Sequence, residues 1–296
     1  MEIMALRVFV AVADKGSLTH AQEQLNISQP AASLQLKKLQ EDLGVALFDR
    51  TPRGMKLTDA GRKLLPLARR SLQSISDFRS TAIGMSGQVQ GQLRIGTIVD
   101  PEFLRLGAWL RVMSERHPEL SFDLQQGISG AVARRVEQGS LDVAFVLGLP
   151  DFVDLAEGLH VEDLVDCHYR VIAPAGWQSQ IEGKGWAELA QLPWISTPQD
   201  SVHSRLLQRT FNAAGVEPVI AARVDVESSM LDLVKSGVAL SLARDNLALQ
   251  ASHEHGIVVA EQLSVTAVLG LVCRRQRYGE PAIKAAFDAV RRVWLN

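Results

Sequence analysis

Apolar residues recur at three- and four-residue intervals through Leu6, Phe9, Val10 and Ala13, which predicts a first helix ended by Gly16. Ser17 is a capping candidate for a short second helix, Leu18 to Leu25, with small Ala21 and apolar Leu25 on one face. Asn26-Ile27-Ser28 is a tight connection. Ser28-Gln29-Pro30 then has the form of an N-cap followed by early-turn residues, and Leu34, Leu36, Leu39 and Leu43 supply the apolar positions of a third helix that stops at Gly44. Two short helices joined by a three-residue turn make a helix-turn-helix, although a plain helical hairpin has the same pattern. Residues 45–50, the cationic turn Thr51-Pro52-Arg53-Gly54 and a return strand at Met55 to Thr58 predict a wing.

From Thr58 a long helix follows, with Pro66 near its first turns. Leu65, Ala68, Leu72 and Ile75 form a seam that either pairs with a second helix or packs on its own domain. The glycine-rich segment 84–91 is a plausible hinge.

Beyond it strands and helices alternate. Strands are predicted at residues 93–98, 120–125 and 141–146, with helices at 101–117 and 130–139. A second series has strands at 169–173, 219–224 and 238–243 and helices near 202–214 and 227–236, then a strand at 267–273 and a helix at 280–294. The alternation predicts a parallel α/β sheet.

Charge adds an asymmetry. Residues 1–86 carry 12 Lys and Arg against 8 Asp and Glu, or +4, whereas the remainder carries 19 against 25, or −6. A basic front and an acidic back suit a nucleic-acid-binding module joined to a sensor. No apolar run approaches the roughly 20 residues of a membrane helix, and the N-terminus lacks the pattern of a secretory signal, so a cytoplasmic location with no membrane partner is expected. Cys167 and Cys273 are too few and too distant for a disulfide framework or a zinc set, and read as buried hydrophobes or a redox pair. Catalytic motifs are not found: Gly127 to Ala131 lacks the second glycine of a nucleophile elbow, and Gly183-Lys184-Gly185 is not a P-loop. His253-Glu254-His255 is spaced too closely for a helical zinc site and is expected to be an exposed loop. No enzyme activity, metal or cofactor is expected.

The run Ser28-Gln29-Pro30-Ala31-Ala32-Ser33 with Leu39 and Leu43-Gly44, then Leu47-Phe48-Asp49-Arg50, Arg53-Gly54 and Leu57 to Gly61, resembles the LysR-type transcriptional regulator signature. Weaker resemblance at residues 93–96, 139–144 and 234–240 extends it over nearly the whole chain. The resemblance implies an all-α winged helix-turn-helix domain (1–58), a linker and dimerisation helix with hinge (59–90), and a two-lobed, type 2 periplasmic-binding-protein-like α/β effector domain (91–296). Lobe I would hold 91–161 and 267–296 and lobe II 162–266, with crossings near residues 161–165 and 265–269. Leu34 departs from the polar or cationic residue common at its position, and Gln40 from a frequent glutamate.

On this basis Gln29, Ser33 and Gln35 are expected to reach base edges, with Ser28 at the helix start. Pro30 would either touch thymine methyls or only initiate the helix. Thr19, Lys37 and Lys38 suit phosphates, Arg53 a narrow minor groove, and Arg50 either a phosphate or an intradomain ion pair. Ligands of open α/β sheets sit at strand carboxyl ends. That singles out Thr97, Ile98 and Val99, Ile128, Ser129 and Gly130, Ser196, Thr197, Ser201, Val202 and His203, and Glu227, as a pocket for a small anionic metabolite. His203 would add charge or pH dependence, or merely start a surface helix. Promoter DNA, a small-molecule co-inducer, RNA polymerase and further copies in a homodimer or homotetramer are the expected partners. The rivals are a thiol-redox regulator and a solute-binding protein.

Overall fold

The computed structural model describes residues 2–295 apart from 52–53, 85–88, 99, 151–154, 156 and 226. Arg53, Val99 and the core of the expected hinge therefore lie outside the described residues, as does the side chain of Arg50.

In one compact unit, residues 1–88 hold α1 (Ile3–Lys15), α2 (Leu18–Leu25), α3 (Gln29–Leu43), the hairpin β1 (Phe48–Thr51) and β2 (Gly54–Leu57), and α4 (Asp59–Gly84). Gly16 and Gly44 close α1 and α3 in the left-handed conformation that glycine adopts freely. Ser28 caps α3 by accepting from the Ala31 N–H, whereas Ser17 holds the cap position of α2 without a side-chain bond. Val8, Phe9 and Val12 of α1, Ala21 of α2 and Ala32, Leu36 and Leu39 of α3 form the core, closed by Phe48, whose ring meets Phe9 edge-on at 5.6 Å. Gln40 accepts from the Leu47 N–H at 2.8 Å, so its carbonyl oxygen holds the chain leaving α3.

Ala68 is buried in the core of its own unit, and Leu65 and Leu72 pack against that core, while Ile75 is half-buried. Among the described residues of α4, the large apolar side chains left exposed are Leu67 and Phe78.

The other unit begins at Val89. Its elements are β3 (Gly91–Thr97), α5 (Leu106–Arg116), β4 (Leu120–Gln126), α6 (Ser129–Glu137), β5 (Val143–Gly148), β6 (Leu159–Ala173), α7 (Gln178–Ile181), α8 (Trp186–Leu189), β7 (Pro193–Ser196), α9 (Val202–Ala213), β8 (Val219–Arg223), α10 (Glu227–Lys235), β9 (Ser241–Arg244), α11 (Asp245–His255), β10 (Val258–Arg274) and α12 (Pro281–Trp294). The main sheet runs β4-β3-β5-β10-β6-β9. It is mixed, not parallel throughout: β3 is parallel to β4 and β5, but β10 lies antiparallel to β5 and β6, and β6 antiparallel to β9. The strands expected at 169–173 and 267–273 are the ends of the much longer β6 and β10. These two cross between the lobes, pairing from Val258 with Ala173 to Arg274 with Leu159, with register shifts at Ala260/Ser264 and Leu269/Gly270. A second sheet pairs β7 with β8 in parallel.

Trp109 anchors the first lobe: it is fully buried, its Nε1 donates to Ala286 O at 2.9 Å, and Phe145 meets its ring edge-on. Asp142 is the polar tie beneath it. Its carboxylate accepts from the Arg94 backbone N–H (2.8 Å), from Arg94 Nε (3.0 Å) and Nη2 (2.7 Å), and from Arg277 Nη1 (2.6 Å), and Arg277 also pairs with Glu280. His253 to His255 end α11 and are not a loop.

Candidate nucleic-acid interface and effector pocket

α3 buries Ala32, Leu36 and Leu39, which leaves Gln29, Pro30, Ser33, Leu34 and Lys37 exposed along its other side. Thr19 is exposed at the start of α2. Not all of the expected DNA contacts stand free. Gln35 Nε2 donates to Glu2 at 3.2 Å and Lys38 Nζ bridges to the same carboxylate at 2.6 Å, so both close the N-terminus of α1 onto α3; the Lys38 hydrogen bond holds Glu2 below the usual carboxylate range. Ser28 spends its hydroxyl on the cap. Lys37 and Glu41 lie 3.6 Å apart with both side chains well exposed, a contact that water and salt loosen. The wing is fixed to the helices by Met55 N–H donating to Gly16 O at 2.8 Å. Gly54 has φ +127° there, and a Cβ on it would stand 2.4 Å from that same oxygen.

In the second unit a cavity of about 70 Å³ opens between the lobes. Eight of the expected residues line it: Ile98, Ile128, Ser129, Thr197, Ser201, Val202, His203 and Glu227. The lobes reach it through helix starts, since Ser129 begins α6 and Ser201 caps α9 by accepting from Ser204 N–H at 3.2 Å. Ser129 Oγ accepts from Leu147 N–H at 3.0 Å, and the Thr197 and Ser201 hydroxyls bond each other. Thr97, Ser196 and Gly130 do not line it. The Thr97 carbonyl takes Gly127 N–H, Ser196 Oγ bonds its own neighbour's carbonyl, and Gly130 N–H donates across the lobes to Asp200 O at 3.1 Å.

The largest omission is Arg244, at the end of β9. It is 5% exposed; its Nη2 donates to Asp100 of the first lobe at 2.7 Å and to Glu227 of the second at 3.2 Å, and its guanidinium lies 4.4 Å over the Phe103 ring. Its Nη1 is buried without a hydrogen-bond partner among the described residues. Phe103, Gly127, Leu147, Tyr169, Asp225 and Met230 complete the lining. The strand-end rule applied to β9 would have found Arg244; Phe103 and Tyr169 leave no such signal.

His203 is buried, with its ring edge-on to Tyr169 at 4.8 Å and Nε2 unpartnered among the described residues. Burial pushes its pKa below the ordinary 6.5, with Glu227 opposing and Arg244 reinforcing, so it offers the pocket a neutral imidazole and not a charge. The unfolded chain therefore binds the proton first. Lowering the pH through about 6.5 is expected to destabilise the effector domain, and His203→Gln to flatten that dependence in melts between pH 8 and pH 5.5. His160, also depressed by burial, leaves a residual slope in the variant. A variant curve parallel to the parent's would refute this assignment to His203.

Both cysteines are buried, and burial pushes Cys167 up to about 11 and Cys273 up to about 12. Neither has the lowered pKa of a redox-sensing thiolate.

Residues 3–62 match the model for the bacterial regulatory helix-turn-helix protein, lysR family, and residues 86–295 match the LysR substrate binding domain, so the two matches take up both units. The chain belongs to the LysR family. It is a DNA-binding transcriptional regulator with a small-molecule-sensing effector domain. Among LysR relatives, the HTH-type transcriptional regulator ClcR of Pseudomonas putida is 31% identical over 257 residues, 84% of each chain. The RuBisCO operon transcriptional regulator of Allochromatium vinosum is 26% identical over 245 residues, 82% of this chain and 79% of that one. In fold the chain is similar to full-length CbnR complexed with its target DNA, at a TM-score of 0.64 and 23% identity over 99% of both chains.

Proposed function

We propose that this LysR-family regulator senses a small monoanion with an apolar body, and that the carboxylate or equivalent group of that ligand binds Arg244. The observation that carries this is the Nη1 of a buried guanidinium lining the cavity, which has no hydrogen-bond partner among the described residues. Asp100 and Glu227 satisfy the other side of this guanidinium, but a buried N–H group left without an acceptor is costly, and a ligand oxygen supplies what Nη1 is missing. The N-termini of α6 and α9 beside it add partial positive charge. Asp225 and Glu227 disfavour a second negative group, and Ile98, Phe103, Ile128 and Met230 favour an apolar remainder.

The test is thermal unfolding of the full chain with small aromatic and branched monocarboxylates, each beside its amide and the matching amine. A carboxylate at 100 times its Kd is expected to add about 2.7 kcal/mol of stability. Arg244→Met should weaken that ligand on the order of 10- to 100-fold, the worth of a charge-assisted hydrogen bond. Equal stabilisation by amide and carboxylate would sink the proposal.

At the DNA end the same reading puts Gln29 and Ser33 at base edges and Thr19 and Lys37 at phosphates, with the wing residues Arg50 and Arg53 at the backbone or minor groove. One such module buries limited surface, so two copies acting on two half-sites are proposed, as a homodimer or homotetramer. Exposed Leu67 and Phe78 on α4 support its use as the pairing face. Effector binding would then bias the arrangement of lobes and copies on promoter DNA and so the engagement of RNA polymerase.

A further inference from the structure

We propose that Leu34 is a base-reading residue, selecting thymine through the C5-methyl group in the major groove. This rests on α3 being the helix that enters the groove. The buried stripe of α3 is Ala32, Leu36 and Leu39. At about 100° per residue the direction opposite that stripe falls on Leu34, with Pro30 one turn before it. Gln29 and Ser33, the polar candidates, lie nearer the flank. Leu34 is 64% exposed and belongs to no apolar cluster of its own domain.

A large branched side chain at the centre of an outward face that is polar apart from Pro30 and Ala31 gains nothing from water. Cationic Lys37, one turn further on and exposed, fits the phosphates that border a groove, so the surface around Leu34 is complementary to duplex DNA and not to an apolar protein patch. In the major groove the apolar feature of a base pair is the thymine methyl, and a leucine can meet it but can form no hydrogen bond with any base. Leu34 therefore discriminates thymine from cytosine by contact area alone, and a polar residue at this position would not.

The test starts by selecting preferred duplexes from a randomised pool with the full-length chain. Each thymine of a selected half-site is then replaced singly by deoxyuridine, which removes only the methyl, and affinity is measured by fluorescence anisotropy at fixed salt. For the parent protein, one such replacement is expected to weaken binding about fourfold, the worth of one buried methyl-sized group. Leu34→Ala should bind the thymine duplex correspondingly less well and lose nothing more on the uracil duplex. Pro30→Ala should stay sensitive to that replacement. Two results overturn the proposal: every replacement leaves the parent unaffected, or Leu34→Ala stays as sensitive as the parent. Failure to select any preferred duplex would instead count against α3 as the groove helix. Since Leu34 is exposed, the melting curve of Leu34→Ala should match the parent's, which separates lost contact from lost fold.

Discussion

Replacing Asp142 by Asn is expected to destabilise the effector domain by about 3 kcal/mol, because removing one charge of a buried ion network leaves the cations around it short of a counter-charge. Asp142 is 5% exposed and accepts from Arg94 on β3 and from Arg277, itself 7% exposed. One carboxylate thus joins the first strand of the domain to the segment that leads into its last helix. The loss falls at the low end of the roughly 3–5 kcal/mol for such pairs because Glu280 still pairs with Arg277 on its far side. For a domain of this size the melting point should fall by roughly 6–12 °C. Urea unfolding of the variant beside the parent checks it; a change under about 1 kcal/mol would mean that the network is well hydrated and contributes little.

Gly61→Ala should lower the stability of the DNA-binding unit by roughly 2–3 kcal/mol, the reverse of what an alanine does in an ordinary helix. Gly61 lies in the first turn of α4, where Thr58 N–H donates to Leu47 O at 3.1 Å, Thr58 Oγ1 donates to Ala46 O at 2.7 Å and Gly61 N–H donates to Thr58 Oγ1 at 2.9 Å. This knot draws the helix onto the strand entering the wing. A Cβ at Gly61 would stand 2.2 Å from Leu47 O and 2.9 Å from the Leu57 side chain, and a backbone oxygen cannot swing away. The wing and α4 must then part, so weaker binding to the selected duplex should accompany the lower urea midpoint. Parental or greater stability in the variant would refute the clash.

That knot gives physical content to the Leu57-Thr58-Asp59-Ala60-Gly61 run, which the sequence displayed as a motif but not as a contact. The N-terminal helices were readable because their ends carry their own chemistry, with left-handed glycines at 16 and 44 and a serine cap at 28. β6 and β10 were visible only in part. The polar residues Glu162, Asp163, Asp166 and His168, and Glu261, Gln262, Ser264 and Thr266, break the apolar run in the stretches where the two strands pass between lobes. α11 escaped because its buried stripe is alanine, Ala248 and Ala251, while Leu249 is 59% exposed, so spacing carried almost no amphipathic signal. The α4 seam illustrates a different limit. Three- and four-residue spacing states that a helix has an apolar face, and here Leu65, Ala68 and Leu72 of that face meet their own domain.

The pocket was legible where residues act through the backbone end they occupy. Ser129, Ser201 and Val202 were found because strand ends and helix starts are local features. Arg244, at the end of β9, was within reach of the same rule, but its role was not, because that depends on Asp100, Phe103 and Glu227, brought from three separate stretches of chain. The sequence therefore suggested a site made of hydroxyls, whereas the folded pocket is organised around one buried cation and a neutral imidazole.

The paired crossing of β6 and β10 constrains how a signal can leave that pocket. Two ribbons bonded side by side resist sliding and bend far more readily at their two register faults. Any movement of one lobe against the other would therefore have to bend both ribbons together and could not slide one along its partner.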